Sequence, residues 1–333
     1  MIVNDEISSY KNLGPDDIIN AVEHIGYQCD GRILALNSYE NRVYQIGLEE
    51  NKPIIAKFYR PLRWTDEAIL EEHRFTHALA KSEIPVVAPC SDASESTLFR
   101  HGTYRLAIYP RQGGYSPELD NPDHLTQIGR AVARIHNVGA TETFTHRTTL
   151  NIDHFGIASY KFLLASGFIP GELEIAYQSL AEDLIKRIKG CYQRAGDICM
   201  LRIHGDFHHG NILWRDDIPY IVDFDDTCTG PSIQDLWMSL SGDRQYMTAR
   251  LNDLLEGYTE FRDFDARELH LIEALRTLRM MRYAAWLAQR WDDPAFPRAF
   301  PFFNTQRYWE DHILSLREQA ALMDEPPLEW NNY

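Results

Sequence analysis

The sequence predicts an α+β fold in two lobes. A small antiparallel sheet with one inserted helix occupies residues 1–110, a hinge spans 111–123, and a larger, mainly helical lobe fills 124–333. Three observations carry this. β-prone runs bounded by turn residues crowd the first third. The Gly- and Pro-rich stretch RQGGYSPELDNPD at 111–123 interrupts them. Beyond it the apolar spacing turns helical, except for the stretch 202–226. At 333 residues the chain also exceeds the roughly 250–300 that a single core sustains.

In order, GPDDIINAVEHIGY predicts a first helix, with Pro15 at its first position, Asp16 and Asp17 at the positive end of its dipole, and Ile18, Val22 and Ile25 as its stripe. RILALNSYENRVYQIGL reads as a hairpin about the polar centre NSYEN, and KPIIAKFYRP as a third strand ended by Pro61. TDEAILEEHRFTHALAKSEI is a helix capped by Thr65, with Ala68, Phe75 and Leu79 on one stripe. TLFRHGTYRLAIYP supplies two more strands. Helices follow at PDHLTQIGRAVARIHNVG, at 172–190, from QDLWMSLSG, and near 248–261, 266–290 and 304–323. The tail EPPLEWNNY is expected to be loosely held.

A net charge of −16 argues against nucleic acid as a partner. Five irregularly spaced cysteines without a CxxC read as free thiols. The opening MIVNDEISSYKN lacks the basic and apolar regions of a secretory leader, and no apolar run approaches the ~20 residues of a membrane span. A cytoplasmic chain with no membrane partner is expected.

The stretch RIHGDFHHGNILWRDDIPYIVDFDD, residues 202–226, concentrates the chemistry. A zinc site would use His204, His208 and His209, but Gly205 and Gly210 disfavour the helix that their spacing requires. The GDFHHG segment is similar to one element of metallophosphatases, whose other histidine motifs are absent. A solvated acidic loop after a strand is the bland alternative. The fourth reading is magnesium-assisted phosphoryl transfer. His204, Asp206 and Asn211 fit H-x-D-x-x-x-x-N, and Asp223 follows an apolar strand twelve residues on. Such chemistry needs one aspartate to accept the acceptor hydroxyl's proton, and an asparagine and a second aspartate as hard oxygen ligands for Mg²⁺.

Elsewhere, Lys57 sits mid-strand in IIAKFYR, on the face of Ile55 and Tyr59. Glu72 falls on the inward stripe of the next helix and Glu71 off it, so Glu72 is the expected partner of Lys57. The stretch resembles the catalytic loop and metal-binding strand of the protein-kinase-like superfamily in its aminoglycoside phosphotransferase branch. That resemblance places a phosphate-gripping role on Lys57, a catalytic and Mg²⁺-binding role on Asp223, hydrogen bonds to the adenine edge on the backbone at Ile108 and Tyr109, and support of the catalytic loop on His204 and Asp235. No G-x-G-x-x-G is present, and the turn LNSYENRVY takes its place, with Ser38 offering donors to phosphate. Asp225 stands where protein kinases carry the glycine of Asp-Phe-Gly, and it and Asp226 are expected to meet substrate or solvent.

LNSYENRVYQ, ILEEH, QDLWM and MMRYAAWLAQRWDDPAFPRAFP together resemble the bacterial stress response kinase A family, from about Leu34 to Leu328. The resemblance implies a monomeric, ATP- and Mg²⁺-dependent serine/threonine protein kinase with a two-lobed protein-kinase-like fold, acting on an unidentified protein in stress survival. A small-molecule kinase on an aminoglycoside, choline or homoserine is the alternative.

Overall fold

The computed structural model describes Tyr10 and residues 13–331; the rest of the opening stretch and the last two residues lie outside the described residues. Two compact units emerge, and neither is a continuous piece of chain. The sheet unit comprises Met1–Glu118, Thr141–Arg147 and His208–Thr227; the helical unit comprises Leu119–Ala140, Thr148–Phe207 and Cys228–Tyr333. This differs from a linear division at the hinge, because the Asn211–Asp223 segment packs with the sheet.

The sheet unit begins with helix α1 (Pro15–His24), whose Gly14 N–H is accepted by Asp17 at 3.0 Å. Strands β1 (Cys29–Ala35), β2 (Arg42–Leu48) and β3 (Ile54–Phe58) follow. Helix α2 (Asp66–Lys81) starts at Thr65, whose hydroxyl accepts the Ala68 N–H at 3.2 Å. Strands β4 (Phe99–His101) and β5 (Tyr104–Pro110) complete a five-stranded antiparallel sheet in the order β1-β2-β3-β5-β4. Ile18, Val22, Ile46, Phe58, Leu106 and Ile108 fill the core between α1 and the sheet. The predicted hairpin, third strand and stripe are all present.

The returning segment forms a hairpin of β7 (Ile212–Arg215) and β8 (Ile218–Ile221). It is bound into the sheet unit by backbone: Val87 N–H donates to Ile221 O at 3.0 Å and Ile221 N–H to Pro85 O at 2.8 Å. Phe224, just past β8, meets Phe75 of α2 edge-on at 6.0 Å between ring centres.

The helical unit holds α3 (Pro122–Gly139), a π-helical turn (Asp153–Ile157), α4 (Ala158–Ser166) and α5 (Gly171–Ala195). Strand β6 (Leu201–Ile203) pairs with β9 (Cys228–Gly230). Then come α6 (Gln234–Trp237), α7 (Arg244–Thr259), α8 (Ile272–Gln289), α9 (Ala295–Ala299) and α10 (Gln306–Leu322). Helices α3 and α7 cross so closely that a Cβ on Gly129 would strike the Leu254 carbonyl, and one on Gly257 the Thr126 carbonyl.

The described part of the tail, 325–331, is held, contrary to expectation. Leu328 is buried, Trp330 packs edge-on against Phe264, and Asn252 donates to Glu329 O at 3.1 Å while accepting from Asn331 N–H at 2.9 Å. Among the described residues no helix is long and apolar enough to cross a membrane.

Candidate active site

Lys57 is the centre of the sheet unit's chemistry. It lies on β3, almost fully buried, with its ammonium 3.0 Å from Asp223 Oδ1, 3.2 Å from Asp225 Oδ1 and 3.8 Å from Glu72 Oε1. Burial opposes the charge on Lys57, but the three carboxylates outweigh it and hold its pKa well above the ordinary lysine range. Burial pushes the Glu72 carboxyl up to about 7, against the pull of Lys57. Asp225 is also desolvated, yet Arg63, Lys57 and Arg147 hold it well below the usual carboxylate range.

Asp223 adopts a left-handed backbone (φ 61°, ψ 65°), a conformation that aspartate tolerates better than most residues. Its side chain remains half-exposed. Asn211 closes a short 3-10 turn (His209–Asn211), and its carbonyl accepts the Val222 N–H at 3.0 Å, so Asn211 is tied directly beside the Asp223 turn.

Lys57, Glu72, Asn211 and Asp223 line one cavity of about 330 Å³ within the sheet unit. Ser38 and Asn37 from the β1–β2 turn, Ile55 and Lys57 from β3, Glu72 from α2, Tyr109 from β5, and Asn211 and Asp223 all face it. The volume lies in the range of small-ligand and cofactor sites. The β1–β2 turn is pinned by Arg60, which donates to Glu40 O at 2.8 Å and Tyr39 O at 3.1 Å, and whose own N–H donates to Asn41 Oδ1 at 3.0 Å. Asn211 and Asp223 present a carboxamide and a carboxylate to the same space, the hard oxygen donors that suit a divalent cation sharing its shell with phosphates and water. Among the described residues no group of three or more His, Cys, Asp and Glu side chains is placed to hold a metal ion.

Tyr109 lines the cavity but Ile108 does not. Ile108 points into the α1 core, and its carbonyl takes the Cys90 N–H at 2.6 Å. Behind the cavity, hydroxyls and an imidazole form a chain: Tyr109 to Tyr59 at 3.0 Å, Tyr59 to His73 Nε2 at 2.7 Å, and His73 Nδ1 to Thr97 at 2.8 Å.

Asp225 is buried, contrary to an exposed, substrate-facing placement, because Arg63 bonds its carboxylate and Arg147 donates to its carbonyl. Asp226 stays half-exposed and also meets Arg63. Glu71, off the apolar stripe, is buried too: its carboxylate accepts N–H bonds from Thr145, His146 and Arg147 at 2.8–2.9 Å. Arg147 then places its guanidinium over the Trp64 ring at 4.0 Å and donates to Thr227 O at 2.9 Å.

His204, Asp206 and Asp235 belong to the helical unit. Asp235, fully buried on α6, accepts the backbone N–H of His204 at 2.7 Å and of Gly205 at 2.8 Å, and meets His136 Nε2 at 3.1 Å. Gln234 donates to Gly205 O at 2.9 Å. His204 is fully buried and packs edge-on against Phe207, while its Nδ1 accepts the Asp206 N–H at 3.3 Å. The backbone on either side of Asp206 is thus fixed, and its carboxylate is left partly exposed. Arg279 of α8 lies 2.5 Å from Asp206 Oδ1, a partner that no local motif signalled.

An antiparallel sheet that carries a lysine–carboxylate cluster, joined to a helical unit that anchors an H-x-D loop, defines a phosphotransferase of the protein-kinase-like α+β class. The model of the phosphotransferase enzyme family matches residues 32–272. The chain is 41% identical over 327 residues to stress response kinase A of Escherichia coli O157:H7, covering 98% of each chain. It is 39% identical, with the same coverage, to the serine/threonine protein kinase RdoA of Salmonella typhimurium strain LT2. Among solved structures, amicoumacin kinase hAmiN, in complex with AMP-PNP, Ca²⁺ and Ami, superposes with a TM-score of 0.72 at 18% identity over 95% of this chain and 96% of that one. The chain belongs to the phosphotransferase enzyme family and, within it, to the stress response kinase A family.

Proposed function

We propose that the chain is an ATP- and Mg²⁺-dependent serine/threonine protein kinase. The observation that carries this reading is the single cavity onto which Ser38, Lys57, Glu72, Asn211 and Asp223 converge. The kinase name of the relative at 39% identity supports the protein acceptor.

In this mechanism Lys57, held by Glu72, grips the nucleotide phosphates, and Ser38 and its neighbours in the β1–β2 turn cover them. Tyr109 borders the base. Asn211 and Asp223 would hold the divalent ion, which would neutralise phosphate charge. Asp206 orients the acceptor hydroxyl and takes its proton as the oxygen–phosphorus bond forms and the bond to the β-phosphate oxygen breaks, releasing ADP. His204 and Asp235 keep Asp206 in place. Most of the acceleration comes from positioning and charge complementarity.

The amicoumacin kinase likeness favours a second reading, in which the acceptor is a small alcohol. Labelled ATP·Mg²⁺ offered to wild type and Asp206→Asn, with generic proteins and separately with small alcohols, tests both. Protein labelling that falls by about 10²–10⁴-fold in Asp206→Asn supports the kinase. Label on small alcohols alone supports the second reading, and label unaffected by Asp206→Asn removes the mechanism.

A further inference from the structure

Arg279 changes the electrostatics at the acceptor side. Its guanidinium lies 2.5 Å from Asp206 Oδ1, and its side chain is 45% exposed, so the cation faces solvent beside the proposed base and is not consumed in the interior. One helical turn further along α8 stands Tyr283, 43% exposed and stacked on Trp286 at 5.7 Å. Arg282 lies on the same turn, and the π-helical turn carrying His154 packs against α8. Burial first, and then the Arg282 charge, lower the His154 pKa, which places Arg282 within electrostatic reach of that turn. Beside the Asp206 carboxylate and Asp153, which opens the π-helical turn, this side of the helical unit thus carries two guanidinium groups, Arg279 and Arg282, and the Tyr283 ring, in a chain whose net charge is −16.

The local sign decides recognition at contact distance. Charges about 4 Å apart interact strongly, whereas charges more than a Debye length of ~8 Å away are largely screened. A guanidinium presents several donors in a planar fork suited to a carboxylate and repels an ammonium at the same place.

We propose that Arg279 is a specificity-determining residue, and that the acceptor carries a negative charge beside its hydroxyl: for a protein acceptor, a serine or threonine flanked by Asp or Glu. The inference rests on the phosphotransferase reading and narrows its substrate class. An acceptor with a cation next to its hydroxyl, as in choline or an aminoglycoside, meets Arg279 as a repulsive contact.

The test pairs serine peptides of equal length with acidic or basic flanks, and pairs glycerate with choline, each with ATP·Mg²⁺ and wild type, Arg279→Lys or Arg279→Glu. Thermal unfolding and ATP binding check that the variants fold. Wild type is expected to favour the acidic member by at least about tenfold in kcat/KM, chiefly through KM. Arg279→Lys keeps the direction of that preference, and Arg279→Glu erases or inverts it. A purely structural role for Arg279 would lower both members equally and leave the ratio unchanged, which overturns the proposal; so does a wild-type preference for the basic member. If only the alcohols are labelled, the protein-kinase reading falls and the glycerate-to-choline ratio still judges Arg279. No label on any acceptor removes the phosphotransferase reading and this inference with it.

Discussion

Around Lys57 three carboxylates gather on one ammonium, with Arg63 and Arg147 behind them; around Asp235 a single carboxylate is satisfied by two backbone N–H groups and an imidazole. Both centres are buried, and both offset the desolvation cost of charge. The first does so with charges, one of which, Asp223, stays half-exposed at a cavity. The second uses hydrogen-bond donors and leaves nothing open to solvent. A cluster whose charges can be redistributed when a ligand arrives is suited to chemistry. A carboxylate locked by donors is suited to holding a loop in one conformation. Removing the central group should therefore damage folding more at Asp235 and activity more at Lys57.

The largest effect expected on stability is at Asp235. Asp235→Ala leaves the His204 and Gly205 N–H groups and the His136 ring without their acceptor, and should cost about 3–5 kcal/mol, read as a fall in the urea midpoint. Lys57→Met should lower the rate by about 10²–10³-fold, through weakened phosphate binding and charge stabilisation. Its unfolding midpoint should move less than that of Asp235→Ala, because Arg63 and Arg147 remain on Asp225. If Lys57→Met unfolded the chain while Asp235→Ala only slowed it, the contrast drawn between the centres would be wrong.

Much of this contrast is legible in the amino-acid sequence. Lys57 and Glu72 sit where period-2 and period-3.6 patterns put them, and the H-x-D-x-x-x-x-N spacing singled out Asp206 and Asn211. What stayed hidden depended on partners far along the chain. Glu71 breaks the apolar stripe because its partners are not apolar: they are backbone N–H groups at 145–147, which no periodicity records. Asp225 looked exposed because Arg63, its partner, is separated from it by 162 residues. Ile108 and Tyr109 are adjacent on one strand, so their side chains leave on opposite faces, and of the two side chains Tyr109's borders the cavity while Ile108's joins the core, a split that the backbone role expected of both does not address. Separation along the chain also concealed Arg279, which meets Asp206 from a distant helix.

Proton linkage gives an intermediate test, because each unit holds a buried histidine and a buried glutamate whose shifts act in opposed directions on stability. Burial lowers His73 to about 3 in the sheet unit and His312 to about 4 in the helical unit. The unfolded chain then binds protons that the fold refuses, so each histidine's contribution is intact above ~6.5 and is lost as pH falls, by roughly 2 kcal/mol at pH 5. Burial raises Glu72 and Glu268 to about 7, and each favours the fold at low pH and loses that contribution as pH rises from about 4.5 towards 7. The opposed slopes should leave wild-type stability shallow in pH across this window. His312→Gln should expose the glutamate slope: relative to wild type it should gain about 2 kcal/mol at pH 5 over its value at pH 7, measured by urea titration. His73→Gln should do the same, less whatever its bonds to Tyr59 and Thr97 contribute at both pH values. A pH-independent difference for both variants would mean that neither imidazole is held neutral.

The smallest effects sharpen the comparison by supplying its baseline. Thr65 caps α2 in the sheet unit by accepting the Ala68 N–H at 3.2 Å, and Thr305 caps α10 in the helical unit by accepting the Tyr308 N–H at 3.2 Å. The two motifs have the same chemistry and geometry but lie in different units. Thr65→Ala and Thr305→Ala should each cost about 1 kcal/mol, within a few tenths of one another. One common transition, shifted equally by either substitution, would show that both units unfold together, so that free energies from Asp235 and Lys57 variants can be compared directly. A midpoint shift confined to one of two resolved transitions would show instead that the units unfold separately, and the stability contrast between the two carboxylate centres would then have to be measured transition by transition.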